Sequence, residues 1–197
     1  EERIKNKVAH RDGELCHTFT REHNHTLYSI DKIIVPMTAR DTIATYMPNS
    51  ALYMDNANVW FISIPGASPE IMKSITCIIN STIFSVFGKS GANPQAGGYY
   101  KFNKQFLAPI PFPSKKVVLS PEIRRLADLH NEISQIQENY LRSTPGRKEI
   151  LAESLKHLWA EVDSICYSLY GVTGVEKELI ESIGRTISRI DLLGGAI

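Results

Sequence analysis

Between Glu70 and Glu122 the chain has no aspartate or glutamate, yet it carries Lys73, Lys89, Lys101, Lys104, Lys115 and Lys116 there. The net charge over 197 residues is only +1, so a polyanion would be drawn to that one region and not to the molecule in general. Cysteine is also scarce. Cys16, Cys77 and Cys166 are odd in number and far apart, which argues against a disulfide framework and for a reducing compartment, with the cytoplasm as the expected location. No uninterrupted apolar run is long enough for a membrane. The most apolar stretch, residues 71 to 87, contains Lys73, Asn80 and several Ser and Thr, and falls short of the roughly 20 apolar residues a bilayer span needs. It reads as a buried helix. The first residue is Glu and no charged-then-apolar leader opens the chain, so a piece of a longer polypeptide without a secretion signal is expected.

Apolar residues make up 43% of the chain, enough to bury a core. The charges divide it in three: a mixed part to about Pro65, the acid-free middle, and a tail from Ser120 rich in both signs. The expected organisation is an α+β domain over residues 1–119 and a helical region over 120–197. Lys32-Ile33-Ile34-Val35-Pro36-Met37, Ala51-Leu52-Tyr53-Met54 and Asn58-Val59-Trp60-Phe61-Ile62-Ser63-Ile64 are short β-branched or aromatic runs bounded by Pro, Asn and Asp, and predict strands. Asp55-Asn56-Ala57-Asn58 suits a hairpin loop, because Asn and Asp tolerate left-handed backbone.

Ser68-Pro69-Glu70 predicts a helix start, with a capping hydroxyl, proline at the first helical position and an acid at the positive end of the dipole. That helix should run to about Phe87 and stop near Gly88. Ser120-Pro121-Glu122 repeats the signal, and Ile123, Leu126, His130, Ile133, Gln137 and Tyr140 share one face of the helix it opens. Ser143-Thr144-Pro145-Gly146 breaks it. A further helix carries Leu151, Leu155, Leu158, Trp159, Val162, Ile165, Cys166 and Leu169 on one face and ends at Gly171; the two should fold back as an antiparallel pair. The fold class expected is α+β, with a small, mostly antiparallel sheet, a packed helix and a C-terminal helical hairpin.

In the middle of the acid-free window Gly97-Gly98-Tyr99-Tyr100-Lys101-Phe102-Asn103-Lys104 interleaves small, aromatic and basic residues, a composition suited to nucleic acid. Lys89, Lys101 and Lys104 would meet phosphates, or simply be solvated. Gly97 and Gly98 would let the backbone approach a sugar-phosphate chain, or satisfy a turn with positive φ. Strand alternation would turn one of Tyr99 and Tyr100 inward and the other outward. Arg40 and Asp41, in the loop after the first strand, would read guanine and cytosine edges, or pair with each other. Asn80 and Ser81, polar within an apolar helix, suit bonds to backbone at a close helix-to-sheet contact. Cys16, His17, His23 and His25 hold donor types that zinc accepts, but Cys16 and His17 are adjacent and cannot easily turn onto one ion, so no metal site is expected.

The order Lys32-Ile33-Ile34-Val35-Pro36, Tyr53, Phe61-Ile62, Ile79-Asn80-Ser81, Gly97-Gly98-Tyr99-Tyr100-Lys101-Phe102 and Pro109-Ile110-Pro111 resembles the TaqI-like C-terminal specificity domain. That domain is the target-recognition part of adenine-N6 DNA methyltransferases and of fused restriction-modification enzymes. The tail from Val162 to Thr173, followed by Glu176, looks like the helical ending of the same enzymes. The resemblance covers roughly residues 20 to 183 and lies in order and spacing. It implies a double-stranded DNA partner, with the catalytic domain of the same polypeptide binding S-adenosylmethionine. The fragment departs from whole methyltransferases: Asn93-Pro94-Gln95-Ala96 is not the Asn/Asp-Pro-Pro-Tyr/Phe motif that holds a flipped base, and no Gly-rich loop follows a strand to seat a cofactor. Catalytic residues and cofactors are therefore not expected in this chain. The alternative is an assembly module built on the helical hairpin, as in type I specificity subunits.

Overall fold

The structure, a computed structural model, describes residues 30–49, 58–103, 105, 108–112, 120–186 and 188–190. The second expected strand (51–54), most of the hairpin loop after it, Lys104, Lys115, Lys116, Cys16 and the N-terminal histidines lie outside the described residues. The fold is α+β, with five helices among the described residues and two small antiparallel sheets where the sequence suggested one.

In the first sheet β1 (Lys32–Pro36) is central, flanked by β3 (Thr45–Met47) and β4 (Val59–Ile62). Ile34 lies opposite Thr45 on one side and Phe61 on the other. The second sheet has the order β2-β6-β5, from β2 (Thr38–Ala39), β6 (Tyr100–Lys101) and β5 (Asn93–Pro94). The chain changes sheets at Met37. Its N–H donates to Asn58 O at 2.8 Å, and its carbonyl accepts from Phe102 N at 2.7 Å. Trp60 reinforces the joint by donating its indole N–H to Phe102 O at 3.1 Å.

Helix α1 (Pro69–Asn80) starts as expected: the Ser68 hydroxyl accepts from Ile71 N, and Pro69 occupies the first turn. It does not run to Phe87. It ends at Asn80, and α2 (Thr82–Gly91) leaves at a bend of 64°. Ser81 makes the break. Its hydroxyl donates to Ile78 O at 2.6 Å and accepts from Phe84 N at 3.3 Å, so one side chain serves the end of one helix and the start of the next. Gly88 likewise is no stop signal. It lies inside α2, where a Cβ would sit 2.9 Å from Thr42 Cγ2 and 3.3 Å from a Phe102 ring carbon, so glycine permits close approach to the sheet joint.

Helix α3 (Pro121–Leu141) and α4 (Pro145–Tyr170) form the expected antiparallel pair. Arg125, near the start of α3, reaches Glu161 late in α4 at 2.7 Å. Gly171 ends α4 in the left-handed region at φ 66°. Within the region expected to be helical, a third helix, α5 (Gly174–Ile183), follows, after which the chain returns to the α1–α2 break. One hydrophobic core runs from Ile33 and Val35 through Met72, Ile78 and Ile83 to Leu126, Leu129, Leu155 and Val162, crossing the compositional boundary at residue 120. Fully burying each such side chain stabilises by roughly 1.5–3 kcal/mol. Helix α1 is bonded directly to α3, the Ser74 hydroxyl donating to Ile123 O at 2.6 Å. No single helix among the described residues is long and apolar enough to cross a membrane.

Candidate nucleic-acid interface

The second sheet gathers several of the residues singled out in the sequence. Between β5 and β6 the chain turns through Ala96–Gly98, with Gly97 at φ 72° and Gly98 at φ 76°, a region that side-chain-bearing residues rarely adopt. Gln95 N donates to Tyr99 O at 2.7 Å and closes this turn. Both glycines are therefore required by the backbone, and both are exposed.

Tyr99 caps the turn ahead of β6 and Tyr100 opens the strand; both are half-buried and they make different contacts. Tyr100 stacks with Phe102, ring centroids 6.2 Å apart at 29°, and packs on a small second core of Ala39, Ala92 and Phe102. Tyr99 instead lies under the Arg40 guanidinium, whose carbon is 5.1 Å from the ring centroid. Arg40 Nε and, just past β6, Asn103 Oδ1 are buried and have no hydrogen-bond partner among the described residues; no pattern in the sequence singles out Asn103. Lys101 is exposed on β6, paired in register with Thr38 and Asn93. Arg40, Gly97, Gly98, Tyr99 and Lys101 thus belong to one structural unit.

Asp41 and Lys89 belong elsewhere. Asp41 is only 1% exposed, so its carboxylate cannot reach into a groove. It accepts from Ser85 Oγ at 2.9 Å and from Thr186 N at 3.2 Å, and it forms an ion pair with Lys89. Lys89 also donates to Thr186 Oγ1 at 2.9 Å. These two expected DNA contacts are an internal strut that ties the loop after β2 to α2 and the C-terminal return. The physical reason is charge pairing: each would be costly to bury alone, and together they neutralise each other.

The same return supplies a polar seam at the α1–α2 break. Ending a helix inside the core leaves carbonyls without intrahelical donors. Thr42 Oγ1 donates to Ile79 O at 2.7 Å, and Asn80 O accepts from Arg185 Nη1 and Arg189 Nε, each at 3.0 Å. Arg189 also pairs with Asp163 at 2.8 Å and lies over the Trp159 ring at 4.6 Å. Asn80 and Ser81 in the apolar run were the visible sign of this seam; the arginines gave no local signal. Buried Cys77 and Cys166 are free thiols, and burial pushes both above the ordinary thiol range, Cys166 to about 12.

Among the described residues no group of three or more His, Cys, Asp or Glu side chains gathers as a metal site would require, and the Cys16, His17, His23 and His25 set lies outside them. Compared with known proteins, the chain matches no family model and no curated protein.

Proposed function

We propose that this chain is the sequence-recognition domain of a bacterial or archaeal adenine-N6 DNA methyltransferase or restriction-modification enzyme, not catalytic by itself. The observation that carries the reading is the grouping of Arg40, Tyr99, Gly97, Gly98 and Lys101 on one small sheet. The segments that build that sheet contain one acid, Asp41, and it is turned inward onto Lys89. An unbalanced cationic surface with an aromatic ring beneath its arginine suits a phosphate-lined duplex. In this reading Lys101 meets phosphate, the glycine turn lets backbone approach the strand, and Arg40, fixed by Tyr99, reads a guanine edge. Asp41 and Lys89 hold the Arg40 loop in place without touching DNA. S-adenosylmethionine and the base-flipping chemistry belong to a catalytic domain of the same polypeptide, in the cytoplasm.

The test is binding of the fragment to a random-sequence duplex library at two salt concentrations, with the retained duplexes sequenced. Affinity that falls steeply with salt and an enriched short motif are expected. A second reading, an assembly module, is supported by Val175, Leu179 and Ile183. They recur every four residues along α5 and are 80%, 59% and 54% exposed. That reading expects self-association or capture of a protein partner, with no salt-sensitive retention of DNA.

A further inference from the structure

Thr38 on β2, Lys101 on β6 and Asn93 on β5 are in register across the second sheet, each opposite the next. Residues directly opposite one another in antiparallel strands share a face. All three are exposed. The adjacent row of Ala39, Tyr100 and Pro94 takes the other face, where Ala39 is buried and Tyr100 packs on the small core of Ala39, Ala92 and Phe102. The outer face of the sheet therefore carries a hydroxyl, an ammonium and a carboxamide side by side.

Asn93 is the member of this row that local structure does not account for. Asparagine is depleted in strands and favoured in turns and caps. Asn93 fills neither position: α2 ends at Gly91 with Ala92 as its cap, and the hairpin turn is Ala96–Gly98. Pro94 disfavours helical backbone at the residue before it, which helps to hold Asn93 extended. The register sets its amide beside Lys101, in a segment that has no Asp or Glu between Glu70 and Glu122.

We infer that Asn93 is a specificity-determining residue that reads one adenine of a DNA duplex from the major groove. The inference rests on the proposed recognition of DNA by this sheet and assigns part of its specificity. A major groove about 12 Å wide admits a two-stranded ribbon, and the strands of a hairpin such as β5–β6 lie about 4.8 Å apart. A carboxamide offers an acceptor oxygen and N–H donors from one end. Adenine presents N7 as acceptor and its N6 amino group as donor, so the two groups join through a pair of hydrogen bonds. Guanine presents only acceptors there, cytosine a donor and thymine an acceptor, and none of them matches both. Lys101, next in the row, has a flexible stem that carries its charge to a neighbouring phosphate.

The test uses the full chain and the motif recovered from the random-sequence duplex library. Asn93→Ala should lose its preference at one adenine position, with discrimination there falling roughly tenfold or more and the other positions kept. Asn93→Asp should exchange adenine for cytosine at that position, because a carboxylate accepts from the cytosine N4 amino group. With the native chain, replacing that adenine by 7-deazaadenine, which lacks the N7 acceptor, should weaken binding by a similar factor. A native motif without adenine overturns the inference, as does a motif unchanged at every position in both variants, and either result leaves DNA recognition by the sheet standing. A uniform loss of affinity with the motif intact also overturns it, since that marks a phosphate contact. No salt-sensitive retention and no motif in the native chain overturn the DNA reading and this inference together. Should neither variant fold, 7-deazaadenine tolerated by the native chain at every adenine of the motif overturns the inference, and loss at one of them supports it.

Discussion

The side-chain amide of Asn80 forms a closed pair of hydrogen bonds with the backbone of Ala44: its Oδ1 accepts from Ala44 N and its Nδ2 donates to Ala44 O, both at 2.8 Å. A helix terminus thereby imitates a neighbouring strand for the residue just before β3. Only an amide has both the donor and the acceptor at the right separation.

Asn80→Ala should therefore cost stability twice, leaving an N–H and a carbonyl of Ala44 unmatched. The expected loss is roughly 2–4 kcal/mol, read as a lower urea midpoint with an unchanged slope. Asn80→Asp should lose a similar amount at neutral pH, since the carboxylate cannot donate to Ala44 O. A midpoint within error of the native chain in both variants would show that the pair contributes nothing.

Lys101 and Asp41 should separate binding from folding. Lys101→Ala removes an exposed charge on β6, so unfolding should be unaffected while the slope of log affinity against log salt falls by about 1. Asp41→Asn should do the reverse. It takes the counter-charge from half-buried Lys89 and leaves a neutral amide buried in its place, with an expected loss of about 3 kcal/mol in stability and the salt slope retained in whatever fraction remains folded. Equal salt slopes for Lys101→Ala and the native chain would remove Lys101 from the phosphate role.

His130 should make the fold acid-sensitive. Burial, followed by the nearby Lys73 charge, lowers it from 6.5 to about 4, so the native state holds it neutral where the unfolded chain protonates. Its contribution is complete above pH 6.5 and is lost as pH falls through that value toward 4, because the unfolded state then binds more protons. The loss should be about 2 kcal/mol once its partial exposure is discounted. His130→Gln, compared with the native chain by urea unfolding at neutral pH and near pH 4.5, should flatten that part of the profile. Parallel profiles would assign the acid sensitivity to carboxylates instead.

The parts of the fold that were legible in the sequence are those set by near neighbours. Ser68-Pro69-Glu70 and Ser120-Pro121-Glu122 each open a helix because a hydroxyl, a fixed φ and an acid act within one turn of the chain. The acid-free window located the small sheet that now groups Arg40 with Tyr99 and Lys101. Ser81 shows where such reading fails. Serine within an apolar run is compatible with a continuous helix whose hydroxyl bonds back to a carbonyl, and its conversion to a break depended on Thr42, Arg185 and Arg189 being present to satisfy the carbonyls released.

Local pattern by itself determined the helix starts, the central strand and the position of the lysine-rich window, since propensity, capping and charge density act over a few residues. Only the tertiary structure decided which charges face solvent. Asp41 and Lys89 looked like surface residues beside a recognition loop; Asp41 is buried and Lys89 half-buried, and each supplies the other's counter-charge. Arg185 donates to a carbonyl 143 residues away and carries no local mark of doing so. The cost of desolvating a charge depends on partners that the chain brings together only when folded, and no spacing along the sequence encodes that sum.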